Sequence, residues 1–203
     1  MIIASIHGSE PAGSISTKRL KHFLDTNKFP WKNSRLILVP EANPCGLKLG
    51  WRHNPYIFLS TGNLSIADMN RQYEHGGTNR VNQKILELID EYDVDMIIDL
   101  HEAWGYHTEH PDSMGNGIYP IGKKGWSIAS SIKNQLNDTI KKQECQYFVK
   151  HWTPIPKGSL RQYALDNNKD YILMESSAEQ SLPLRIRQQT IFLKQLLKEA
   201  FEK

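Results

Sequence analysis

Short apolar runs alternate along the chain with longer stretches in which apolar residues recur at helical spacing. IIASI (2–6), RLILVP (35–40), MIIDL (96–100) and YILMES (171–176) are rich in Ile, Leu and Val and do not alternate with polar residues, the pattern of strands buried on both faces. PAGSISTKRLKHFLDT (11–26), NRVNQKILELIDEY (79–92) and KGWSIASSIKNQLNDTIKK (124–142) carry the helical period, with Thr78 or Asn79 as a cap for the second. The segment 182–203 predicts a long last helix that docks Ile186, Ile191, Leu193, Leu197 and Phe201 on the sheet. A β-α-β-α order of this kind predicts an α/β sheet with helices on both faces. The segment 40–75 shows no sustained period and is rich in Pro, Gly and Asn. It predicts a long irregular connection of the sort that carries function.

Composition narrows the picture only slightly. With 203 residues, 39% hydrophobic and 23% charged, the chain predicts one domain, residues 1–203, with a substantial core. No apolar run is long enough to span a bilayer. The first residues enter a strand directly, without a basic region and apolar leader, so a cytoplasmic protein is expected. A net charge of +3, spread along the chain, does not point to nucleic acid or to a membrane surface. Cys45 and Cys145 are far apart in sequence and are expected as reduced thiols without a catalytic role. The sequence gives no sign of oligomeric state.

The chemistry gathers at strand ends. His7 follows IIASI, His101 follows MIIDL, and Glu175 closes YILM. In open α/β sheets ligands bind beyond the carboxyl ends of the strands, so these groups face one crevice. His7 and Glu10 are three apart across a turn that Gly8 permits, and Pro11 suits the first turn of the next helix. Two imidazoles and a carboxylate suit Zn²⁺, with a fourth position left for water. Each feature is common when taken singly. A His-x-x-Glu spacing arises often by chance, and His101 alone also reads as a hydrogen-bonded core histidine.

As a set they resemble a known family. HGSEPAG (7–13) is similar to the zinc motif of the zinc carboxypeptidase superfamily, nearest the branch that holds succinylglutamate desuccinylase, aspartoacylase and small bacterial murein-peptide carboxypeptidases. NPCG (43–46), DMNRQY (68–73), IDLHEA (98–103) and GSLRQYA (158–164) followed by YILMESS (171–177) resemble further motifs of that branch, in the same order. The resemblance implies a three-layer α/β/α fold with a mixed, mostly parallel central sheet. It implies that His7, Glu10 and His101 hold one Zn²⁺ ion, although other divalent ions suit the same donors. It further implies that Asn70 and Arg71 bind a substrate carboxylate, that Glu175 is the general base acting on water at the metal, and that Arg52 polarises the scissile carbonyl. In the aspartoacylase pattern that arginine sits nearer the NR pair, where this chain has Asn63. Tyr163 is expected to lean over the pocket as a hydrogen-bond donor to substrate, beside Arg161. Asp99 either orients His101 or points to the other face, Glu102 points away from the metal, and 107–113 form a rim.

The implied activity is hydrolysis of an amide bond next to a free carboxylate, in a peptide or small-molecule substrate. Carboxypeptidase action is favoured by the spacing of Arg52; removal of an N-acyl group from an amino acid and a non-catalytic metal-binding module of the same fold are the alternatives. The sequence is shorter than the digestive-type carboxypeptidases and is expected to lack the β-rich C-terminal domain of the aspartoacylase-like members, which predicts an open cleft.

Overall fold

A computed structural model describes residues 1–27 and 34–201. Among these residues the chain runs β1 (Ile2–Ala4), α1 (Pro11–Thr26), β2 (Leu38–Val39), α2 (Pro44–Leu49), α3 (Pro55–Thr61), α4 (Leu64–Ala67), α5 (Arg80–Glu91), β3 (Met96–Ala103), β4 (Gly117–Ile121), α6 (Lys123–Asn137), β5 (Phe148–Val149), α7 (Leu160–Asp166), β6 (Asp170–Ser177) and α8 (Leu182–Phe201). The described strands form one six-stranded sheet in the order β2-β1-β3-β6-β4-β5. The first four of that order are parallel, while β4 runs antiparallel to β6 and carries β5 parallel to itself. The sheet is therefore mixed and mostly parallel, with helices on both faces.

Consecutive residues of the central strands feed opposite cores, which is why their runs are apolar without alternation. Ile2, Ile98, Leu100, Ile172 and Met174 pack with Leu20 of α1, Ile132 of α6 and Leu193 of α8. Their neighbours Ile3, Ile97, Tyr171 and Leu173 pack on the other side with Ile85 of α5, Leu160 of α7 and Met69. In α8, Ile186, Leu193 and Leu197 are buried as expected. The Phe201 side chain and residues 202–203 lie outside the described residues.

Several expectations need correction. The strand expected over 35–40 pairs only at Leu38 and Val39, because it is the sheet's edge. The helix expected to reach 142 ends at Asn137. The segment 40–75 is not irregular. It holds three short helices, each capped by an asparagine: Asn43 accepts from the Gly46 amide, Asn54 from Tyr56 and Ile57, and Asn63 from Ser65 and Ile66. Helices this short do not reveal themselves by period. Two strands, β4 and β5, were not anticipated; Pro120 interrupts the apolar run of β4, and β5 has two residues. Asn79 rather than Thr78 caps α5, accepting from Val81 and Asn82. No helix among the described residues is long and apolar enough to cross a membrane.

Candidate metal centre

The centre is assembled where β1, β3 and β6 end. Strand β1 breaks at Ser5, which takes a positive φ of 53° and donates its hydroxyl to the Glu10 carbonyl, closing the turn that carries His7 and Glu10. Gly8 lies at the inside of this turn against the backbone of Gly46, Leu47 and Trp51, where a methyl group has no room. NPCG thus has a structural role: Asn43 caps α2 so that Gly46 can press on Gly8, while the Gly8 amide donates to the Arg52 carbonyl at 3.2 Å. This contact fixes the approach of Arg52 to the turn.

Ligand atoms of His7, Glu10 and His101 all lie within 4.8 Å of one another, and all three residues are buried. His7 Nδ1 is 2.8 Å from Glu10 Oε1, and His101 Nδ1 is 2.9 Å from Glu10 Oε2. The distal nitrogens face two aspartates, His7 Nε2 in a hydrogen bond at 3.3 Å from Asp68 Oδ1 and His101 Nε2 in ion-pair contact at 3.1 Å from Asp99 Oδ1. Carboxylates that hold the far nitrogen of each imidazole, leaving the near one for a cation, are the usual supporting arrangement around histidine metal ligands. The donor set therefore fits a divalent cation. Asp99 shares a strand face with His101 because side chains two apart point the same way. It is fixed by the Tyr171 hydroxyl, which donates to Oδ2 at 2.8 Å.

The electrostatics reflect this packing. Burial alone would raise the Glu10 carboxyl, but the imidazoles of His7 and His101 overcome it and hold it well below the usual range. Asp68 is likewise held low against burial, by its hydrogen bond to His7 and the charges of His7, Arg52 and Arg71. For His101 burial works downward, yet Asp99 and Glu10 lift it well above an ordinary imidazole.

Glu175 is the register partner of His101 across β3 and β6. It is 6% exposed, and its Oε2 has no hydrogen-bond partner among the described residues. Burial pushes this carboxyl up to about 8, with Glu10 and Asp99 adding to the shift and His101 and Arg52 opposing it. Arg52 donates to Asp68 Oδ2 through Nε at 3.3 Å and Nη2 at 3.1 Å, and its Nη1 is 3.6 Å from Glu10 Oε1. Asp68 thus holds both the His7 imidazole and this guanidinium. Nothing in the sequence sets Asp68 apart for this role, although it opens DMNRQY (68–73). Asp68 also caps the turn Met69–Arg71, accepting from the Asn70 amide at 3.0 Å.

Asn70 and Arg71 reach the same cleft, a cavity of about 390 Å³ that also contains His7, Arg52, His101 and Glu175. Asn70 accepts from the Leu160 amide at 3.0 Å, which orients its Nδ2 toward His101 at 3.5 Å. Arg71 donates to the Asn70 carbonyl at 2.7 Å. Tyr163 is not brought there. Its hydroxyl faces Asp90 at 3.4 Å, and the ring borders a separate hollow with Glu74 and Gln162, because α7 turns position 163 away from the cleft. Arg161 takes the place expected of it: it is 4% exposed, lines the cleft and donates to the Trp152 carbonyl at 2.9 Å. No carboxylate pairs with it among the described residues, and its Nε is unpartnered. Trp104 and Trp152 supply apolar wall on the rim side.

Residues 1–110 match the sequence pattern of the succinylglutamate desuccinylase/aspartoacylase catalytic domain. No curated protein matches the chain. Among solved structures, the fold is similar to the mDAP-bound form of Csd4, a D,L-carboxypeptidase of Helicobacter pylori, with a TM-score of 0.74 and 21% identity over 97% of this chain and 49% of that one. The tripeptide-bound form of Csd4 gives the same score and identity over 97% and 50%. A candidate metallopeptidase of Shewanella denitrificans aligns over all of this chain and 74% of its own, with a TM-score of 0.68 and 18% identity. The chain spans about half the length of Csd4. At these identities the structural likeness concerns the fold, whereas the sequence match covers more than half of the chain. The protein belongs to the succinylglutamate desuccinylase/aspartoacylase catalytic-domain family.

Proposed function

We propose that the protein is a metal-dependent hydrolase that cleaves an amide bond beside a free carboxylate, in the manner of a carboxypeptidase. The observation that carries this reading is the convergence of His7 Nδ1, Glu10 and His101 Nδ1, each imidazole backed by an aspartate, with the unpartnered Glu175 carboxylate next to them. His7, Glu10 and His101 would hold one Zn²⁺ ion, whose Lewis acidity lowers the pKa of water and polarises a carbonyl.

The chain's own residues account for the rest. Arg71 presents a planar fork to the substrate carboxylate, and Asn70 adds an oriented amide donor. Arg52, held by Asp68 at the edge of the centre, donates to the carbonyl oxygen as negative charge develops there. Glu175 accepts the proton of the attacking water and delivers it to the leaving nitrogen. A carboxyl raised toward neutrality suits both halves of that transfer. Arg161 adds a buried cation to the cleft wall besides the more exposed Arg52 and Arg71, which favours a substrate with an additional anionic group.

Csd4 is a D,L-carboxypeptidase whose structures include peptide and mDAP complexes, and that supports a peptide substrate here. The family match supports the second reading, in which the scissile amide joins an acyl group to an amino acid. Turnover of a panel of peptides and N-acyl amino acids, with free and with amidated carboxyl ends, tests both readings. Cleavage confined to free carboxyl ends is the expected result, and equal cleavage of amidated ends would remove Arg71 as the anchor.

A further inference from the structure

The residue after a ligand histidine on a strand should point into the opposite core and be apolar. Here it is Glu102, an acid whose side chain is 1% exposed. Burying a carboxylate is costly, and well-packed apolar residues often replace buried ion pairs without loss of stability. Its contacts indicate what the charge does. Oε1 accepts from the Ala12 amide at 2.6 Å, in the first turn of α1, two residues after the ligand Glu10. The other oxygen pairs with Arg185 of α8. The Glu102 amide donates to Glu10 Oε2 at 3.2 Å. This one residue therefore reaches Glu10 through its main-chain amide and the start of α1, two residues on, through its carboxylate, while sitting next to His101.

Helix α8 makes a second attachment one turn on. Gln189 Nε2 donates to the His101 carbonyl at 3.1 Å and to Ser176 Oγ at 2.9 Å. Ser176 follows Glu175, so Arg185 and Gln189, on one face of α8, grip both strands that carry the site.

We propose that Glu102 and Arg185 form a positioning pair that, with Gln189, lets helix α8 set the separation of Glu10 from His101 and so tunes the affinity of the metal centre. The proposal rests on the reading of His7, Glu10 and His101 as metal ligands. The pair supplies none of the three donor side chains and acts through the backbone of α1 and β3. Outer partners of this kind are worth about 10- to 100-fold in metal affinity.

Cobalt(II) titration of the metal-free full chain tests it, read by the ligand-field spectrum, with thermal unfolding of the same metal-free samples alongside. Glu102→Gln and Arg185→Met should each weaken cobalt binding by about 10- to 100-fold and alter the spectrum, and Arg185→Lys should restore part of the affinity. Leu197→Ala, farther along α8 in the core, should lower the unfolding temperature yet leave cobalt affinity and spectrum unchanged. If Glu102→Gln does not fold, Arg185→Met and Gln189→Ala carry the test. Wild-type affinity and spectrum in the folded variants would overturn the positioning role while leaving the metal centre intact. A wild-type chain that takes up no cobalt would overturn the metal reading and this proposal together.

Discussion

His101 and Glu175 are register partners on the adjacent parallel strands β3 and β6, so the His101 imidazole and the Glu175 carboxylate, whose Oε2 has no hydrogen-bond partner among the described residues, rise side by side from one face of the sheet. A parallel ladder allows no slip here without moving every core residue of β6 to the wrong face. The spacing of Glu175 from His101 is therefore a property of the sheet, not of a loop.

Replacing Glu175 with Gln keeps the shape and removes the proton acceptor. Metal content should stay at the wild-type level while turnover falls by about 10²- to 10⁴-fold. Unchanged turnover in a variant that still binds metal would exclude Glu175 as the base.

The same variant has a stability signature. The Glu175 carboxyl titrates at about 8 in the metal-free fold, far above an ordinary glutamate. Between the unfolded and folded values the native state holds the extra proton, so the stability this group contributes is present at low pH and lost as pH rises through about 8. Metal-free Glu175→Gln should unfold near the wild-type temperature at pH ~5 and at a higher one at pH ~9, the gap corresponding to roughly a few kcal/mol. A constant gap across that range would contradict the shift.

Metal uptake should expel protons. Against burial, Asp99 and Glu10 lift His101 well above an ordinary imidazole in the metal-free fold, and a ligand imidazole must be neutral. Apparent affinity should climb by about tenfold per pH unit for each proton released, between about pH 6 and 8. Calorimetry in two buffers of different ionisation heat measures that release directly, and affinity that is flat with pH would contradict it.

Removing the carboxylate anchor should cost substrate selection more than folding, since Arg71 is exposed and bonds only to the Asn70 carbonyl among the described residues. Arg71→Ala should lower kcat/KM for free-carboxyl substrates by roughly 10- to 150-fold, about 1.5–3 kcal/mol, and leave any residual cleavage of amidated substrates at its wild-type rate. Equal losses on both would place Arg71 outside the anchor.

Gly8→Ala tests the seat of the turn. The added methyl meets the main chain of Gly46, Leu47 and Trp51, none of which can rotate away. A loss of about 1–3 kcal/mol or more is expected in denaturant unfolding, together with weaker metal binding as His7 is displaced. Wild-type stability would mean that the two loops do not touch.

The central strands and the long helices were legible in the sequence because their signals are local. Ile97, Ile98, Ile172 and Leu173 are apolar on both faces, and α1, α5 and α8 carry the helical period. The meeting of His7, Glu10 and His101 was legible through strand ends and motif order. Other features depend on packing that the sequence does not display. Asp68 looks like a helix cap and is one, yet its second oxygen holds Arg52. Tyr163 and Arg161 are two apart on α7, and only the docking angle of that helix decides that the arginine reaches the cleft and the tyrosine does not. Helices of four to seven residues, as in α2, α3 and α4, are set by their asparagine caps rather than by any period.

Everything catalytic in this account depends on three side chains gripping one cation. Elemental analysis of protein purified without chelators, set beside His7→Ala and His101→Ala, measures that directly. Close to one divalent ion, zinc, per wild-type chain is expected, with loss of most of it in both variants; equal metal in all three proteins, or none in the wild type after zinc is supplied, would contradict a three-residue metal centre.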